Sequence, residues 1–110
     1  MSLDLSFRAM EPITCPKCGD PVTTVEVDNV CSGGRGWYPI LTKLGYYVPY
    51  DQRTEANNWY GKDMTLSDEQ VTEVRRYLAR NRDLYYGNEI LALLNRAEAE
   101  GLIVILNADW

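Results

Sequence analysis

The sequence predicts a single α+β domain over residues 1–110, with a small mixed or antiparallel sheet and two to three helices on one face. Three patterns predict this fold class. Alternating apolar and polar residues lie near the N-terminus, two segments with helical spacing lie in the second half, and a continuous branched apolar run follows at residues 102–106. A chain of 110 residues can bury a core without a disulfide or a metal.

The first two predicted elements are strands. Leu3, Leu5 and Phe7 alternate with polar residues, which predicts a strand with one buried face. Residues 21–30 alternate again, and the phase slips once near residues 23–24. We therefore expect a second strand with a bulge.

The middle of the chain is less regular. Residues 31–36 are rich in glycine, which predicts a loop or a sharp entry into the next element. Residues 37–47 have the spacing of a short helix that ends at Gly45, with Pro39 tolerated in the first turn. Residues 48–63 have no period, and we expect an ordered loop or a short extended segment there.

The second half predicts two helices and a final strand. Ser67 and Gln70 have the spacing of a capping box at the start of the first helix. The second helix is expected over residues 88–100, with Gly101 as its stop. The run at residues 102–106 is typical of a strand that is covered on both faces, at the centre of the sheet. The predicted core residues are Leu3, Leu5, Phe7, Val74, Leu78, Ile90, Leu94, Ile103 and Ile105.

The run Cys15-Pro16-Lys17-Cys18-Gly19 has the form of a zinc knuckle after the first strand. A structural zinc site needs four ligands, but the chain has only one further cysteine, Cys31, and no histidine. The candidate metal ligands are therefore Cys15, Cys18 and Cys31, and the predicted cofactor is Zn²⁺. The fourth ligand could be a water molecule, a group from a second protomer, or one of Asp20, Glu26 and Asp28. The alternative is a knuckle-shaped turn with reduced thiols and no metal.

Composition restricts the function. The formal net charge of −5 disfavours a nucleic-acid partner, because phosphate attraction supplies most of that affinity. Without histidine, the commonest general acid–base and nucleophile-activating groups are absent, which predicts a protein that is not an enzyme. No window resembles a membrane span or a signal peptide, so we expect no membrane partner and a cytoplasmic location.

Seven aromatic residues lie between positions 37 and 60, in the part of the chain with least periodicity. Some must be core residues, but aromatic and arginine side chains on loops often dominate the energy of interfaces. A protein partner is therefore expected on the loops between Gly33 and Gly61. The candidate partner-binding residues are Arg35, Trp37, Tyr47, Tyr50 and Trp59.

Two further clusters have an unremarkable interpretation beside a functional one. Arg75, Arg76, Arg80 and Arg82 form either a solvated helix face paired with acids or a contact to phosphate. The segment Gly33-Gly34-Arg35-Gly36 is either a simple turn or a set of amides that bind an anion.

The sequence also resembles a family of small, largely uncharacterised proteins of bacteriophages and prophages. Met1-Ser2-Leu3-Asp4-Leu5 is similar to the family's opening, and Asn29-Val30 takes the place of its Asn-Ile pair. Leu44-Gly45-Tyr46-Tyr47 resembles its Gly-Ile-Tyr segment, and Tyr86-Gly87-Asn88 through Trp110 resembles the closing amphipathic helix and strand. The chain departs from the family at Cys31-Ser32-Gly33-Gly34. The resemblance implies a phage origin and a location in the infected bacterium, and it brings no activity.

Two functions remain open on these observations. The first is a non-enzymatic phage accessory protein that binds and modulates a host or phage macromolecule. The second is a zinc-dependent module associated with nucleic acid, with the arginine group touching phosphate.

Overall fold

The computed structural model describes residues 3–110, except for the side chains at positions 21 and 22. Within this part of the chain, a four-stranded antiparallel sheet packs with three α-helices, which confirms the α+β class. The strands are β1 (Asp4–Thr14), β2 (Pro21–Gly33), β3 (Met64–Thr65) and β4 (Ile103–Asp109), in the order β2-β1-β4-β3. The helices are α1 (Tyr38–Lys43), α2 (Asp68–Arg80) and α3 (Gly87–Glu100). Met1 and Ser2, which open the family-like motif, lie outside the described residues.

β1 and β2 form one long hairpin, and both strands exceed their predicted lengths. The ladder shifts register between Ala9 and Met10 and again between Ile13 and Thr14, so β2 is bulged at residues 27 and 22. The bulge expected near residues 23–24 is therefore replaced by two flanking bulges. β2 also continues through Gly33, which corrects the prediction that residues 31–33 lack regular structure.

Gly33 explains how β2 extends so far. A Cβ atom at this position would lie 2.4 Å from the backbone oxygen of Leu3, a distance that a real Cβ does not tolerate. Glycine thus allows the two strands to approach closely where the hairpin ends. Gly33, one of the glycines that favoured a loop in the sequence, is instead required for strand pairing.

The helical elements begin and end close to the predicted residues. A 3₁₀ turn at Arg35–Trp37 leads into α1, and Gly45, with a φ of 79°, follows the helix end. In α2 the capping box is complete, since Gln70 N–H donates to Ser67 Oγ at 3.2 Å and Ser67 N–H donates to Gln70 Oε1 at 2.8 Å. α3 ends at Gly101, which has a φ of 67°.

The core lies between the helices and one face of the sheet. Seven of the predicted core residues are buried: Leu3, Leu5, Phe7, Val74, Leu78, Ile90 and Leu94. Ile103 and Ile105 are only half-buried, because the alternate residues of β4 point to the helices: Val104, Leu106 and Ala108. β4 is an interior strand as predicted, but the expectation that it is covered on both faces is wrong.

Candidate functional site

The predicted knuckle forms the tip of the β1–β2 hairpin. β4 pairs with β1 only as far as Met10, opposite Ile103. β1 and β2 remain paired beyond this point through Thr14, as a two-stranded ribbon without a third strand. The chain is correspondingly elongated, with principal extents of 48 × 33 × 22 Å.

Two backbone hydrogen bonds close the turn at this tip. Cys15 N–H donates to the oxygen of Asp20 at 2.8 Å, and Gly19 N–H donates to the oxygen of Cys15 at 2.8 Å. Gly19 has a φ of 75°, the left-handed conformation that glycine adopts without strain. The turn therefore brings both ends of the Cys-Pro-Lys-Cys-Gly run together.

The two thiols of the turn are close to each other. Hydrogen bonding from the Cys18 side chain, and from the backbone N–H groups of Cys18 and Lys17, lowers the pKa of the Cys15 thiol. Cys18 is exposed and Cys15 is partly exposed, and both are free thiols. A thiol whose pKa is lowered and which faces solvent is better suited to bind a metal than a buried one.

Cys31 is not part of this cluster. β2 begins beside the knuckle, but in its register with β1 Cys31 lies opposite Ser6. Eight residues of extended β1 separate Ser6 from Thr14, or about 26 Å. The Cys31 thiol instead lies 3.9 Å from the side-chain oxygen of Asn29.

The acids proposed as a fourth ligand do not complete the site either. In the described part of the chain, no group of three or more histidine, cysteine or acidic side chains is placed to hold a metal ion. Asp28, for example, faces Arg96 at 3.9 Å. Among the described residues, a single chain thus offers two cysteines at the tip and no third ligand beside them.

A second candidate site is a group of aromatic side chains around Arg53, which we call the aromatic surface: Tyr47, Tyr50, Arg53, Tyr60 and Trp110. The Arg53 guanidinium carbon lies 5.8 Å from the centroid of Tyr47, 5.9 Å from that of Tyr50 and 5.3 Å from that of Trp110. These distances are within the range of cation–π attraction. Arg53 therefore connects three rings from two separate parts of the sequence.

The position of Arg53 is fixed by the backbone. Its Nε and one terminal nitrogen donate to the oxygen of Val48 at 3.1 Å and 2.8 Å. Trp110 packs edge-on against Tyr47 at 5.1 Å and against Tyr60 at 5.0 Å. Tyr50 is the most open member, with 86% of its surface exposed, and Tyr60 is 48% exposed.

The predicted partner-binding residues separate into distinct environments. Trp37 is fully buried, so its assignment to a partner surface is wrong. Its indole N–H donates to Ser32 Oγ at 3.1 Å, and its ring packs 5.7 Å from Phe7. Tyr47 and Trp59 are half-buried against the core. Arg35 and Tyr50 are exposed.

The sequence did not single out three members of the aromatic surface. Arg53 is half-buried and Tyr60 is exposed. Both lie in the aromatic-rich segment, whose lack of periodicity does not show which of its side chains reach the surface. Trp110 is remote in sequence and gave no local signal. It reaches Tyr60 because Gly61 N–H donates to the oxygen of Ala108 at 2.8 Å, which holds the loop against the end of β4.

The four arginines of the α2 region are partly paired within the chain. Arg75 forms an ion pair with Glu98, and Arg76 pairs with Glu73 at 3.1 Å. Arg80 and Arg82 are exposed. The backbone of the Gly33–Gly36 segment is also in use, since Gly34 N–H donates to the oxygen of Leu3 at 3.0 Å and the Gly36 oxygen accepts from the Tyr77 hydroxyl.

In the described residues, no helix has both the length and the apolar character that crossing a membrane requires.

Comparison with protein-family models, with curated proteins and with solved structures found no match to this chain. Its likeness to the phage family therefore stays a prediction from short motifs, and the function must be argued from the two sites themselves.

Proposed function

We propose that this protein is a non-enzymatic accessory protein that binds and modulates a protein partner through the aromatic surface. The observation that supports this most strongly is the exposure of Tyr50. A tyrosine ring with 86% of its surface in solvent contributes little to the fold, whereas the same ring buried in an interface contributes strongly to binding.

The surroundings of Tyr50 favour binding further. Arg53 faces its ring at 5.9 Å and is itself held by the oxygen of Val48. A side chain that is already ordered loses less conformational entropy when a partner docks. Tyrosine and arginine are also the residue types in which interface energy concentrates.

The charged residues beside the aromatic surface indicate the chemistry of the partner. Asp51 and Glu55 are exposed beside Tyr50, and the whole chain carries a formal net charge of −5. A protein patch with apolar side chains at its centre and lysine or arginine at its rim would complement this arrangement. The resemblance to phage proteins supports a host or phage protein in the infected bacterium as the source of that patch.

The alternative function, a zinc-dependent module associated with nucleic acid, has less support. Arg75 and Arg76 already pair with Glu98 and Glu73, which reduces their availability for phosphate. The net charge of −5 acts in the same direction.

The test compares two exposed tyrosines. Tyr50→Ala removes the most exposed ring of the aromatic surface, and Tyr85→Ala is the matched control, since Tyr85 is 66% exposed at a different site. Each tagged variant is used to capture proteins from bacterial lysate with and without nuclease treatment, and the affinity for the captured protein is then measured by calorimetry. We expect Tyr50→Ala to weaken binding by about 2 kcal/mol, or roughly 30-fold, with an unchanged melting temperature.

Three results would contradict the proposal. The first is equal binding by Tyr50→Ala and the unmodified chain. The second is an equal loss in both variants. The third is capture that disappears after nuclease treatment, which would favour the nucleic-acid alternative. Tyr50 is a sharper probe than Trp59, because Trp59 packs 6.3 Å from the buried ring of Tyr46 and its truncation would also disturb the core.

A further inference from the structure

The hairpin tip presents half of a zinc site in an accessible position. Zinc in a structural site binds four ligands in a tetrahedron, and thiolates lie about 2.3 Å from the metal. The turn supplies two thiols, Cys15 and Cys18, whose positions in the sequence are three residues apart and whose backbone the turn folds together. The described part of the chain supplies no third ligand within reach, and the sequence has no histidine.

The local backbone is arranged as two ligands of one metal require. The bond from Gly19 N–H to the oxygen of Cys15 brings the ends of the turn together, and the bond from Cys15 N–H to the oxygen of Asp20 closes the turn where it meets the two strands. The backbone that carries the two thiols is therefore held by hydrogen bonds of its own.

The position of the pair favours a ligand from outside the chain. Met10 is the last residue of β1 that pairs with β4, and β1 continues four residues beyond it. The two-stranded ribbon that β1 forms there with β2 is about 13 Å long. Residues 16–20 at its end are exposed. Two such ribbons can meet end to end while the bodies of the two molecules stay apart.

From this geometry we infer that Cys15 and Cys18 of two copies of this chain bind one Zn²⁺ between them, so that zinc joins the copies at their hairpin tips. Two identical pairs give four thiolates, and a two-fold axis through the metal closes the assembly at a dimer. Each thiol releases its proton on binding, and zinc undergoes no redox change. The inference is independent of the aromatic surface.

The charges at the junction are compatible with this arrangement. A Zn²⁺ ion with four thiolates has a net charge of about −2. Lys17 of each copy adds a positive charge beside the metal, and Asp20 of each copy adds a negative one. The repulsion between the two Asp20 side chains is screened at physiological salt, because both are exposed.

The test measures metal content and mass on the full chain, purified with a phosphine reductant and without chelator. We expect about 0.5 zinc per chain and a light-scattering mass of twice the 12.6 kDa monomer. Removal of zinc should return the monomer mass, and titration with Co²⁺ should reach its end point at one metal per two chains, with the absorption of a tetrahedral thiolate site.

Two variants test whether the cysteines at the hairpin tip, and not Cys31, bind the zinc. The Cys15→Ser, Cys18→Ser double variant should lose both zinc and the dimer while keeping its melting temperature as a monomer, because the tip is remote from the core. Cys31→Ser is the matched control and should keep both. One zinc per chain in a monomer, the absence of zinc, or a dimer that persists without metal would each overturn the inference.

Discussion

Replacement of Trp37 by alanine tests whether this residue belongs to the core and not to a partner surface. Trp37 is fully buried, its indole N–H donates to Ser32 Oγ, and its ring faces Phe7 at 5.7 Å and Tyr77 at 6.4 Å. A large aromatic side chain buries about 150–250 Å², and at about 25 cal/mol per Å² this corresponds to roughly 4–6 kcal/mol. Truncations of buried Phe or Trp to alanine cost about 3–5 kcal/mol.

We therefore expect Trp37→Ala to lower the free energy of unfolding by about 4 kcal/mol. Since small domains are stable by only about 5–15 kcal/mol, this is a large fraction of the total. The melting temperature should fall by at least about 15 °C. Urea denaturation followed by far-ultraviolet circular dichroism is the suitable assay, because removal of a tryptophan changes the fluorescence signal itself.

Two control variants make the result interpretable. Trp37→Phe retains an aromatic ring but removes the donor to Ser32, so we expect a smaller loss, about 1–2 kcal/mol. Tyr50→Ala should change the free energy of unfolding by less than about 0.5 kcal/mol, since the ring is 86% exposed. A loss below about 1 kcal/mol for Trp37→Ala would refute the assignment of Trp37 to the core.

Two other predictions concern single polar groups. Tyr46→Phe should lower the free energy of unfolding by about 1–3 kcal/mol, measured by urea denaturation. The buried Tyr46 hydroxyl accepts from Ala108 N–H at 2.7 Å, and the variant leaves that N–H without its partner. An unchanged denaturation midpoint would contradict this. The pKa of Asp63 is lowered by its hydrogen bond from Asn107 and by Arg8, which lies 2.6 Å away. A lowered folded-state pKa gives stability that is present above the ordinary carboxyl range near pH 4 and is lost as the pH falls through the folded value. Asp63→Asn should therefore be less stable at pH 7 and should lose less stability between pH 5 and pH 2, and parallel pH profiles for the two proteins would exclude this role.

The local elements were predictable because their signals are contiguous in sequence. Ser67 and Gln70 form both bonds of the predicted capping box, and α3 ends at the predicted glycine, Gly101. The alternation of Leu3, Leu5 and Phe7 likewise gave the buried face of β1. In each case the residues that decide the structure lie within a few positions of one another.

The candidate sites were predictable only in part. The Cys15–Cys18 turn was evident from its spacing, but the position of Cys31 depends on the register of a long hairpin, which places it opposite Ser6. Similarly, nothing in an aperiodic aromatic segment distinguishes a buried Trp37 from an exposed Tyr50. Burial there is decided by what packs against each ring, and those partners are remote in sequence.

The sequence by itself therefore determined the α+β class, the helix limits and the thiol pair at the turn, because each follows from local spacing. Only the tertiary structure decided which face of β4 is buried. An uninterrupted apolar run has no alternation to mark its inner face, and the choice of Val104 and Leu106 over Ile103 and Ile105 comes from pairing Leu106 opposite Phe7. A shift of one residue in that pairing would reverse every side chain of the strand, so the decision belongs to the sheet as a whole.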